Sequence, residues 1–422
     1  MNSLHVRFSI LGAMALAASF ASAEVMDRPG GFKIGQRMTL KPYVSISATY
    51  DSNVTGSHDG GSGKTDDIMW TVNPGLDLEY RGDSWTILLN AFYNYHAYCE
   101  KRYSNLYNEH SYGETFRWNW SSSTKGERGW SLMLAETFNQ ITMADDMTTA
   151  DGANYTADRR QLTVQGSVQR RFNENWHSEI SLSYYNLDYL NETENVNQYA
   201  LYGWQRWSGN LSAGYAPSKW LDVLGTIGYQ GYRQDNFAYG GQNRNSQGYT
   251  AQIGVGTFAT ERITYRALAG WSRFEYGNNS SSADGFTYTL SGNWRMSDTW
   301  NMMLLASSYY QPSEYEQSSQ SRVDSVSWGL GKSLIRGKLN AKLDLTYNHN
   351  TQEYVGREAG YTSDYAIDTA TVRLGLDYTL NRYLALFVYG EYLRSWNDQS
   401  DRVSGYRDYD RWRVTGGLRF TY

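Results

Sequence analysis

A phosphate-binding loop is the first chemistry that the sequence suggests. Gly63-Lys64-Thr65 follows a glycine-rich run, and such loops hold phosphates with backbone N–H groups and a lysine. The pattern requires a glycine five positions before Gly63, but His58 stands there, and no strand-to-helix context surrounds it. We therefore interpret residues 53–66 as a surface loop and predict no nucleotide site.

The sequence does not contain the residue spacings that are typical of metal sites or of hydrolases. The histidines after residue 23 are His58, His96, His110, His177 and His349, and no second histidine stands two or four positions from any of them. Local metal sites use such close spacing, so we predict neither a metal nor a cofactor. The sequence also lacks a Gly-x-Ser-x-Gly elbow, and we predict no enzymatic activity. A hydrolase remains an alternative, which a serine and an asparagine or aspartate within hydrogen-bond reach of His96 or His177 would favour.

Two groups of carboxylates in predicted loops could hold Ca²⁺ through their oxygens. They are Asp145, Asp146 and Asp151 in one loop, and Asp398, Asp401, Asp408 and Asp410 around another. Solvated acidic residues are common on loop surfaces, and we prefer that interpretation for both groups.

The first 23 residues have the three parts of a secretory signal peptide. Arg7 provides the positive charge, an apolar stretch covers residues 8–20, and Ala21-Ser22-Ala23 supplies small residues before a cleavage site. The apolar stretch is too short for a membrane-spanning helix, which needs about 20 residues. We predict cleavage after Ala23 and export of the chain through the inner membrane.

The composition favours a protein with one lipid-facing and one wet surface. The 422 residues include 37 Tyr and 15 Trp but only 5 Pro, and charged residues make up 19%, which is below the usual quarter. No window after the signal peptide has the apolar run of a membrane-spanning helix. The net charge of −5 argues against a nucleic-acid partner. Because Cys99 is the one cysteine, we expect no internal disulfide.

Alternating segments cover the chain from residue 39 to its end. In residues 68–80 and 371–380, apolar side chains occupy every second position, and mostly polar side chains or glycine stand between them. Such alternation over about 10 residues is typical of a membrane-spanning strand. We count 18 segments, and the count falls to 16 if the weakest are excluded. An even number lets the first and last strands pair, which leaves no edge in hydrocarbon.

The predicted fold class is therefore all-β, a single closed antiparallel transmembrane β-barrel of about 18 strands. The signal peptide covers residues 1–23, a periplasmic N-terminal segment covers residues 24–38, and the barrel covers residues 39–422. Three segments have apolar residues on both faces, so part of the lumen is expected to be filled by side chains or covered by a loop.

The links between the segments alternate between short and long. Short links occur at residues 81–84, 124–129, 173–175, 217–219, 260–261, 297–299, 335–337 and 381–382, and longer links rich in Gly, Asn, Ser and Asp lie between them. This alternation is typical of short periplasmic turns and longer extracellular loops. Tryptophans border several short links, as expected for an aromatic girdle at the periplasmic membrane surface. The predicted girdle consists of Trp85, Trp120, Trp130, Trp176, Trp220 and Trp300.

The last strand predicts how the barrel is assembled. Gly416, Leu418, Phe420 and Tyr422 share one face of this strand, and the chain stops on the aromatic residue. This pattern resembles the recognition signal of the outer-membrane barrel insertion machinery, in which the usual last residue is Phe. We therefore place the protein in the outer membrane. We expect that machinery, the outer-membrane lipids and lipopolysaccharide to be its partners.

Three motifs carry a resemblance to a known family. They are LKPYVSISATYDSNV at residues 40–54, NPGLDLEY at residues 73–80 and NYHAYCEKRYSNLYNEH at residues 94–110. This part of the chain resembles the putative beta-barrel porin-2 family. The resemblance implies an outer-membrane channel without enzymatic activity, with relatives that occur beside polysaccharide-export machinery. It provides no set of catalytic residues.

The alternation also predicts which side chains line the lumen. Charged side chains on the lipid face cost roughly 2–4 kcal/mol near the midplane, so charged residues in the polar rows are expected to point inward. The candidates are Arg117, Arg266, Arg295, Arg373, Arg413, Arg419, Lys342, Asp77, Glu79, Glu179, Asp344 and Asp377. Rings of charged side chains around a pore determine its selectivity. The charged residues named here suggest a modest preference for anionic or sugar-like solutes. Tyr185 and Phe92 are also predicted to point inward, where they could stack on sugar rings.

These patterns predict a porin-like channel for hydrophilic solutes or for an exported polysaccharide, with polysaccharide-export components as partners in the second case. A surface scaffold or adhesin with a closed pore is the main alternative, and a lack of conductance would favour it. An outer-membrane hydrolase is the third hypothesis.

Overall fold

The structure is a computed structural model that describes residues 31–54, 65–100, 110–122, 128–141, 159–189, 203–234, 245–257, 260, 262–276, 282–312, 318–354, 365–397 and 408–422. The predicted signal peptide, residues 55–64 and five of the loop aspartates lie outside these ranges; these aspartates are Asp145, Asp146, Asp151, Asp398 and Asp401. Within the described ranges, no helix has the length and apolar character needed to cross a membrane.

Strands account for most of the described residues. They are β1 (Phe32–Ile34), β2 (Met38–Asp51), β3 (Asp67–Arg81), β4 (Trp85–Tyr98), β5 (His110–Ser121), β6 (Gly129–Ile141), β7 (Arg159–Arg171), β8 (Trp176–Tyr189), β9 (Trp204–Ser218), β10 (Leu221–Gln234), β11 (Ser246–Gly256), β12 (Ile263–Tyr276), β13 (Ser282–Trp294), β14 (Trp300–Pro312), β15 (Ser318–Ile335), β16 (Leu339–Tyr354), β17 (Tyr365–Thr379), β18 (Leu384–Asn397) and β19 (Tyr409–Thr421). Each of the 18 segments predicted from the sequence corresponds to one strand from β2 to β19.

The strands β2 to β19 form one closed antiparallel barrel. Each strand pairs with the next along the chain, and β19 closes the ring by pairing with β2, from Thr421 opposite Tyr43 to Arg413 opposite Asp51. Closure matters because a membrane offers no water to satisfy an open strand edge. The predicted fold class and the preferred strand number are confirmed. β1 is an additional short strand that pairs with the first residues of β2.

The eight short links join the strands at one end of the barrel, which we name the turn end. In the turn between β15 and β16, Gly337 has a φ of 70°, a left-handed conformation that glycine adopts without steric cost. The Lys338 N–H there donates to the Ile335 carbonyl at 2.8 Å. We name the opposite end, where β2 ends and β3 begins, the loop end.

The two faces of the wall differ sharply in polarity. Apolar side chains such as Leu182 and Ile253 project outward and are 62% and 72% exposed. The neighbouring inward positions carry residues such as Ser181, Ser183 and Gln252, which are buried. An apolar exterior around a polar interior is the arrangement of a transmembrane barrel and the reverse of a soluble one.

Candidate functional site: the lumen

Most of the predicted lumen candidates lie on the inward face of the wall. On every strand concerned they alternate with the exposed apolar row, and they are Arg117, Arg266, Arg373, Arg413, Arg419, Lys342, Asp77, Glu79, Glu179, Asp344 and Asp377. Arg295 is placed differently, because β13 ends at Trp294. It lies in the following turn, where it forms an exposed ion pair with Asp298 at 3.1 Å.

A buried charge cluster joins the first and last strands of the barrel at the loop end. The Asp51 carboxylate on β2 accepts from Arg411 Nε at 2.9 and 3.0 Å and from Arg413 Nε at 2.8 Å, both on β19. It also accepts from the backbone N–H of Asn53, whose side chain donates to the Asp410 carbonyl at 3.2 Å. One carboxylate therefore binds two guanidinium groups across the closing seam, and the cluster keeps a net charge of +1. Asp51 and Asn53 belong to the sequence YDSNV, residues 50–54, which ends the first of the three family-like motifs and lies at the end of β2.

The Pro-Gly motif of β3 also has a packing role in the lumen. A Cβ at Gly75 would lie 2.2 Å from Cζ of Tyr43, so only glycine leaves room for the tyrosine ring over β3. Asn90 on β4 then donates to Asp77 at 2.6 Å and lies 3.4 Å from the Tyr43 hydroxyl. A hydrogen-bonded layer therefore links β2, β3 and β4 across the inner surface.

Other lumen charges differ in how they are compensated. Arg373 pairs with Glu391, and the hydroxyl of Tyr389 donates to Asp377 at 2.8 Å. The hydroxyl that binds Asp377 is neutral; likewise, Arg117 contacts the neutral Asn119 at 3.3 Å, and the guanidinium of Arg419 lies 5.2 Å from the ring centre of Phe387. Within the part of the chain that the structure describes, neither Arg117 nor Arg419 forms an ion pair. They leave fixed positive charge on the lumen wall.

An aromatic cluster fills the inner surface at the loop end, on the side of β8 to β14. Its buried members are Leu187, Trp204, Tyr232, Phe274, Ala283 and Tyr310, with Tyr185 packed against them. The rings of Tyr185 and Trp204 lie 4.6 Å apart, and those of Tyr232 and Phe274 lie 5.4 Å apart. We name this group the loop-end aromatic cluster. It lies on other strands than the three for which the sequence suggested a filled lumen.

Arg206 is embedded in this cluster. Its guanidinium carbon lies 5.6, 5.8 and 6.0 Å from the ring centres of Tyr185, Trp204 and Tyr232. Aromatic faces attract cations at such distances, and the attraction grows when water is excluded. The sequence analysis did not single out Arg206 or most of its neighbours. The signal was present, because aromatic residues occupy inward positions near the loop ends of several strands.

His96 meets part of the condition set for the hydrolase alternative, because it approaches a serine on the adjacent strand. Its Nε2 lies 3.3 Å from the Ser111 hydroxyl, and Asn94 donates to the same hydroxyl at 2.9 Å. The other ring nitrogen lies 3.0 Å from the Thr71 hydroxyl rather than a carboxylate. His96 and Ser111 are each only 1% exposed, so a substrate cannot reach the serine in this conformation. His177 instead lies 2.9 Å from both carboxylate oxygens of Asp222.

Aromatic belts surround the outside of the barrel at both ends. The tryptophans of the predicted girdle all lie at the turn end; Trp85 stacks on Tyr80 at 4.3 Å, and Trp176 lies 4.9 Å from Tyr215. A second belt at the loop end was not predicted and contains the exposed Trp70, Trp207, Trp271 and Trp412. Tyr80 in the turn-end belt is ten positions after Trp70 in the loop-end belt. At about 3.3 Å per residue and a strand tilt of about 40°, the two belts are about 25 Å apart along the membrane normal, which is the height of the apolar band of a transmembrane barrel.

The predicted insertion signal lies on the outer surface at the turn end. Leu418, Phe420 and Tyr422 are about half exposed, and Gly416 shares their face. Tyr422 packs against Phe32 of β1 with ring centres 4.6 Å apart, and its N–H donates to the Pro42 carbonyl at 3.0 Å.

Among the described residues, no three His, Cys, Asp or Glu side chains gather as a metal site. Of the loop aspartates for which calcium binding was the alternative interpretation, Asp408 precedes β19 and Asp410 lies at its beginning, whereas the other five lie outside the described residues. Cys99 follows β4 and is a free, exposed thiol.

The closed wall, the apolar exterior and the polar interior define an outer-membrane β-barrel of the porin type. Residues 223–422, just under half of the chain, match the model of a family described as putative beta-barrel porin 2, so this part of the chain is similar to that family. The family is the one that the N-terminal motifs resemble, although the matched residues lie after those motifs. No curated protein matches the chain.

Several solved structures are similar to this chain at low sequence identity. The outer membrane protein OpdK from Pseudomonas aeruginosa is 10% identical, with a TM-score of 0.43, over 91% of this chain and 99% of that one. The FrpB iron transporter from Neisseria meningitidis is 8% identical, with a TM-score of 0.42, over 92% and 82%. OccAB4 from Acinetobacter baumannii is 10% identical, with a TM-score of 0.42, over 92% and 100%.

Proposed function

We propose that the protein is a porin-like channel through which hydrophilic solutes cross the outer membrane. The observation that carries this proposal is the set of polar and charged side chains that line the inner face of an 18-stranded wall outside the loop-end aromatic cluster. Barrels of 16 to 18 strands are wide enough to leave an aqueous channel. The family match to beta-barrel porins supports the same role.

Anionic or sugar-like solutes are the substrate class that the lumen favours. Asp51 binds two arginines and Glu391 binds one, whereas Arg117 and Arg419 contact neutral groups, as the carboxylates Asp77 and Asp377 do. An excess of fixed positive charge raises the local concentration of anions in a narrow polar passage. The aromatic rings of Tyr185 and Phe92 point inward, and such rings can stack on the apolar faces of sugars. A polysaccharide is the larger form of such a solute, and its export is the second candidate function.

Conductance of the purified full-length chain in planar lipid bilayers tests the channel. We expect stepwise openings and, in a KCl gradient, a reversal potential that indicates anion preference. A cation preference would remove the proposed substrate class. A complete lack of conductance would favour the scaffold or adhesin alternative. Swelling of proteoliposomes in sugars of increasing size would then separate a general porin from a route for polymers.

The hydrolase alternative rests on one specific contact, the approach of His96 to Ser111. A serine-reactive fluorophosphonate probe tests it directly, with Ser111→Ala as the matched control. Labelling that disappears in the variant would favour an enzyme. We expect no labelling, because both side chains are buried and Asn94 already donates to the serine oxygen.

The expected partners follow from the outer surface. We propose that the insertion machinery recognises the exposed face formed by Gly416, Leu418, Phe420 and Tyr422 after signal-peptide cleavage at Ala23. We also propose that phosphates of lipopolysaccharide bind at the loop end, where Arg160, Arg273 and Arg394 are exposed on the outward face. Arginine suits this role because its planar group binds phosphate in two places.

A further inference from the structure

The hydrogen-bonded wall is interrupted between β13 and β14. Their ladder runs from Trp294 opposite Met302 to Thr289 opposite Ser307, and it stops there. The loop-end half of β13, residues 282–288, pairs with β12 but not with β14. β14 continues beyond Ser307 and stays paired with β15 as far as Pro312. The two strands therefore separate in the half of the barrel near the loop end.

β14 separates from β13 because its loop-end part leans into the lumen. The backbone carbonyl of Tyr310 lies 3.5 Å from Nε2 of Gln230, an inward-facing residue of β10, four strands away along the wall. The Tyr310 ring is a buried member of the loop-end aromatic cluster. A Cβ at Gly285 of β13 would lie 2.5 Å from the Tyr310 hydroxyl, so this side chain covers the inner side of the gap.

The chemistry on the two sides of the gap is different. The lumen side is apolar and aromatic, with Phe274 and Ala283. Tyr310 lies between the two sides, because it packs in this cluster and also stands opposite the outward Arg322 in the β14–β15 ladder. The outward side carries polar groups at the same level: Arg322 pairs with Asp324 at 3.1 Å, and Tyr288 of β13 lies on the same outward face. Polar groups are costly within hydrocarbon, and the edge of residues 282–288 that faces β14 without pairing with it adds to that cost. A molecule with a polar head and an apolar tail complements both sides.

We propose that the gap between β13 and β14 is a lateral opening through which an amphipathic lipid passes between the lumen and the outer leaflet. Tyr310 closes the opening from inside. The polar head contacts the outward Arg322, Asp324 and Tyr288, and the tail enters the loop-end aromatic cluster. This route is separate from the axial passage of hydrophilic solutes.

Photocrosslinking of the full-length chain in vesicles of phosphatidylethanolamine and phosphatidylglycerol tests the opening. A benzoylphenylalanine replaces Tyr310 at the gap, the outward Phe286 as the positive control, or the inward Phe92 as the negative control. Phe92 is the matched control, because it pairs with Gly75 on β3 and Gly113 on β5, and the β3–β4 ladder skips only Tyr93 and Asn94 before it resumes at Tyr95. We expect lipid adducts at Tyr310 several-fold above those at Phe92.

A smaller substitution provides a second readout in case the bulky group at Tyr310 prevents folding. In a Cys99→Ser background, Ser307→Cys places an inward thiol at the last rung before the gap, and Ser47→Cys places one on the fully paired β2. N-dodecylmaleimide, which partitions into the bilayer, is expected to modify Ser307→Cys several-fold faster. Lipid access above the matched control in either experiment supports the opening, and its absence in both overturns it. Neither readout depends on whether the lumen conducts ions.

Discussion

His177 on β8 and Asp222 on β10 meet across the intervening strand β9, with Nε2 2.9 Å from both carboxylate oxygens. The contact is possible because Gly214 stands between them on β9. A Cβ there would lie 2.3 Å from His177 Nε2 and 2.8 Å from Asp222 Oδ1. Three adjacent strands are thus tied together near the turn end by a buried pair that needs a residue without a side chain.

Gly214→Ala is expected to destabilise the barrel. The methyl group would separate the buried pair and leave polar groups without their partners, at a cost of about 1–3 kcal/mol. Equilibrium unfolding in denaturant, followed by tryptophan fluorescence, measures the effect. Gly225→Ala on β10 is the matched control, because nothing lies within 4 Å of a Cβ there. Equal effects of both changes would contradict the role of Gly214.

Arg117→Gln and Arg419→Gln are each expected to lower the ratio of anion to cation permeability. Both arginines leave positive charge on the lumen wall, and their removal reduces the attraction for anions. The reversal potential in a KCl gradient measures the change, and the double variant should shift it further. Arg295→Gln is the control, because it removes the same charge from the turn end, where Asp298 already balances it. This variant should hardly change the reversal potential. An unchanged potential in the double variant would exclude these residues as selectivity determinants.

The closing seam depends on Asp51. Asp51→Asn would leave Arg411 and Arg413 buried without their carboxylate, and breaking a buried ion pair from one side costs about 3–5 kcal/mol. We expect a lower free energy of unfolding and a lower yield of assembled barrel. Asp298→Asn removes one partner of an exposed ion pair and should change stability by at most about 1 kcal/mol. If the two variants have the same free energy of unfolding, the cluster around Asp51 does not stabilise the closing seam.

The number and the order of the strands follow from the sequence, because alternation is a local property. Side chains in a strand alternate between two faces, and lipid and lumen demand opposite chemistry from those faces. The segment at residues 68–80 therefore predicts β3 without knowledge of its neighbours. The short links and the tryptophans beside them are equally local.

Contacts between strands could not be predicted in the same way. Whether Asp51 meets Arg411, or His177 meets Asp222, depends on the register of strands that are distant in sequence or separated by another strand. The inward lean of β14 depends on packing among residues of six strands, from Leu187 to Tyr310. Single lumen candidates could be named from alternation, whereas the ion pairs and the aromatic cluster they belong to required the structure.

Two carboxylates interrupt the apolar exterior and provide the last prediction. Glu114 on β5 and Glu136 on β6 alternate with outward aromatic residues, since Glu114 lies opposite Phe138 and Glu136 lies opposite Phe116. Glu114 is exposed, and each glutamate stands six residues from a tryptophan of the turn-end belt on its own strand, at about 15 Å by the spacing used above. Among the described residues, neither has an ion-pair partner.

Glu114→Leu and Glu136→Leu are therefore expected to stabilise the isolated barrel in lipid vesicles. A carboxylate costs less in the membrane than the roughly 2–4 kcal/mol of a basic side chain, so we expect a gain of about 1–2 kcal/mol for each change. Unfolding in denaturant from vesicles measures it. Glu79→Leu is the control, because Glu79 faces the lumen and pairs with Arg81, and its loss should not stabilise the barrel. Destabilisation by Glu114→Leu and Glu136→Leu would contradict contact with lipid at this face and would indicate that another polypeptide covers it.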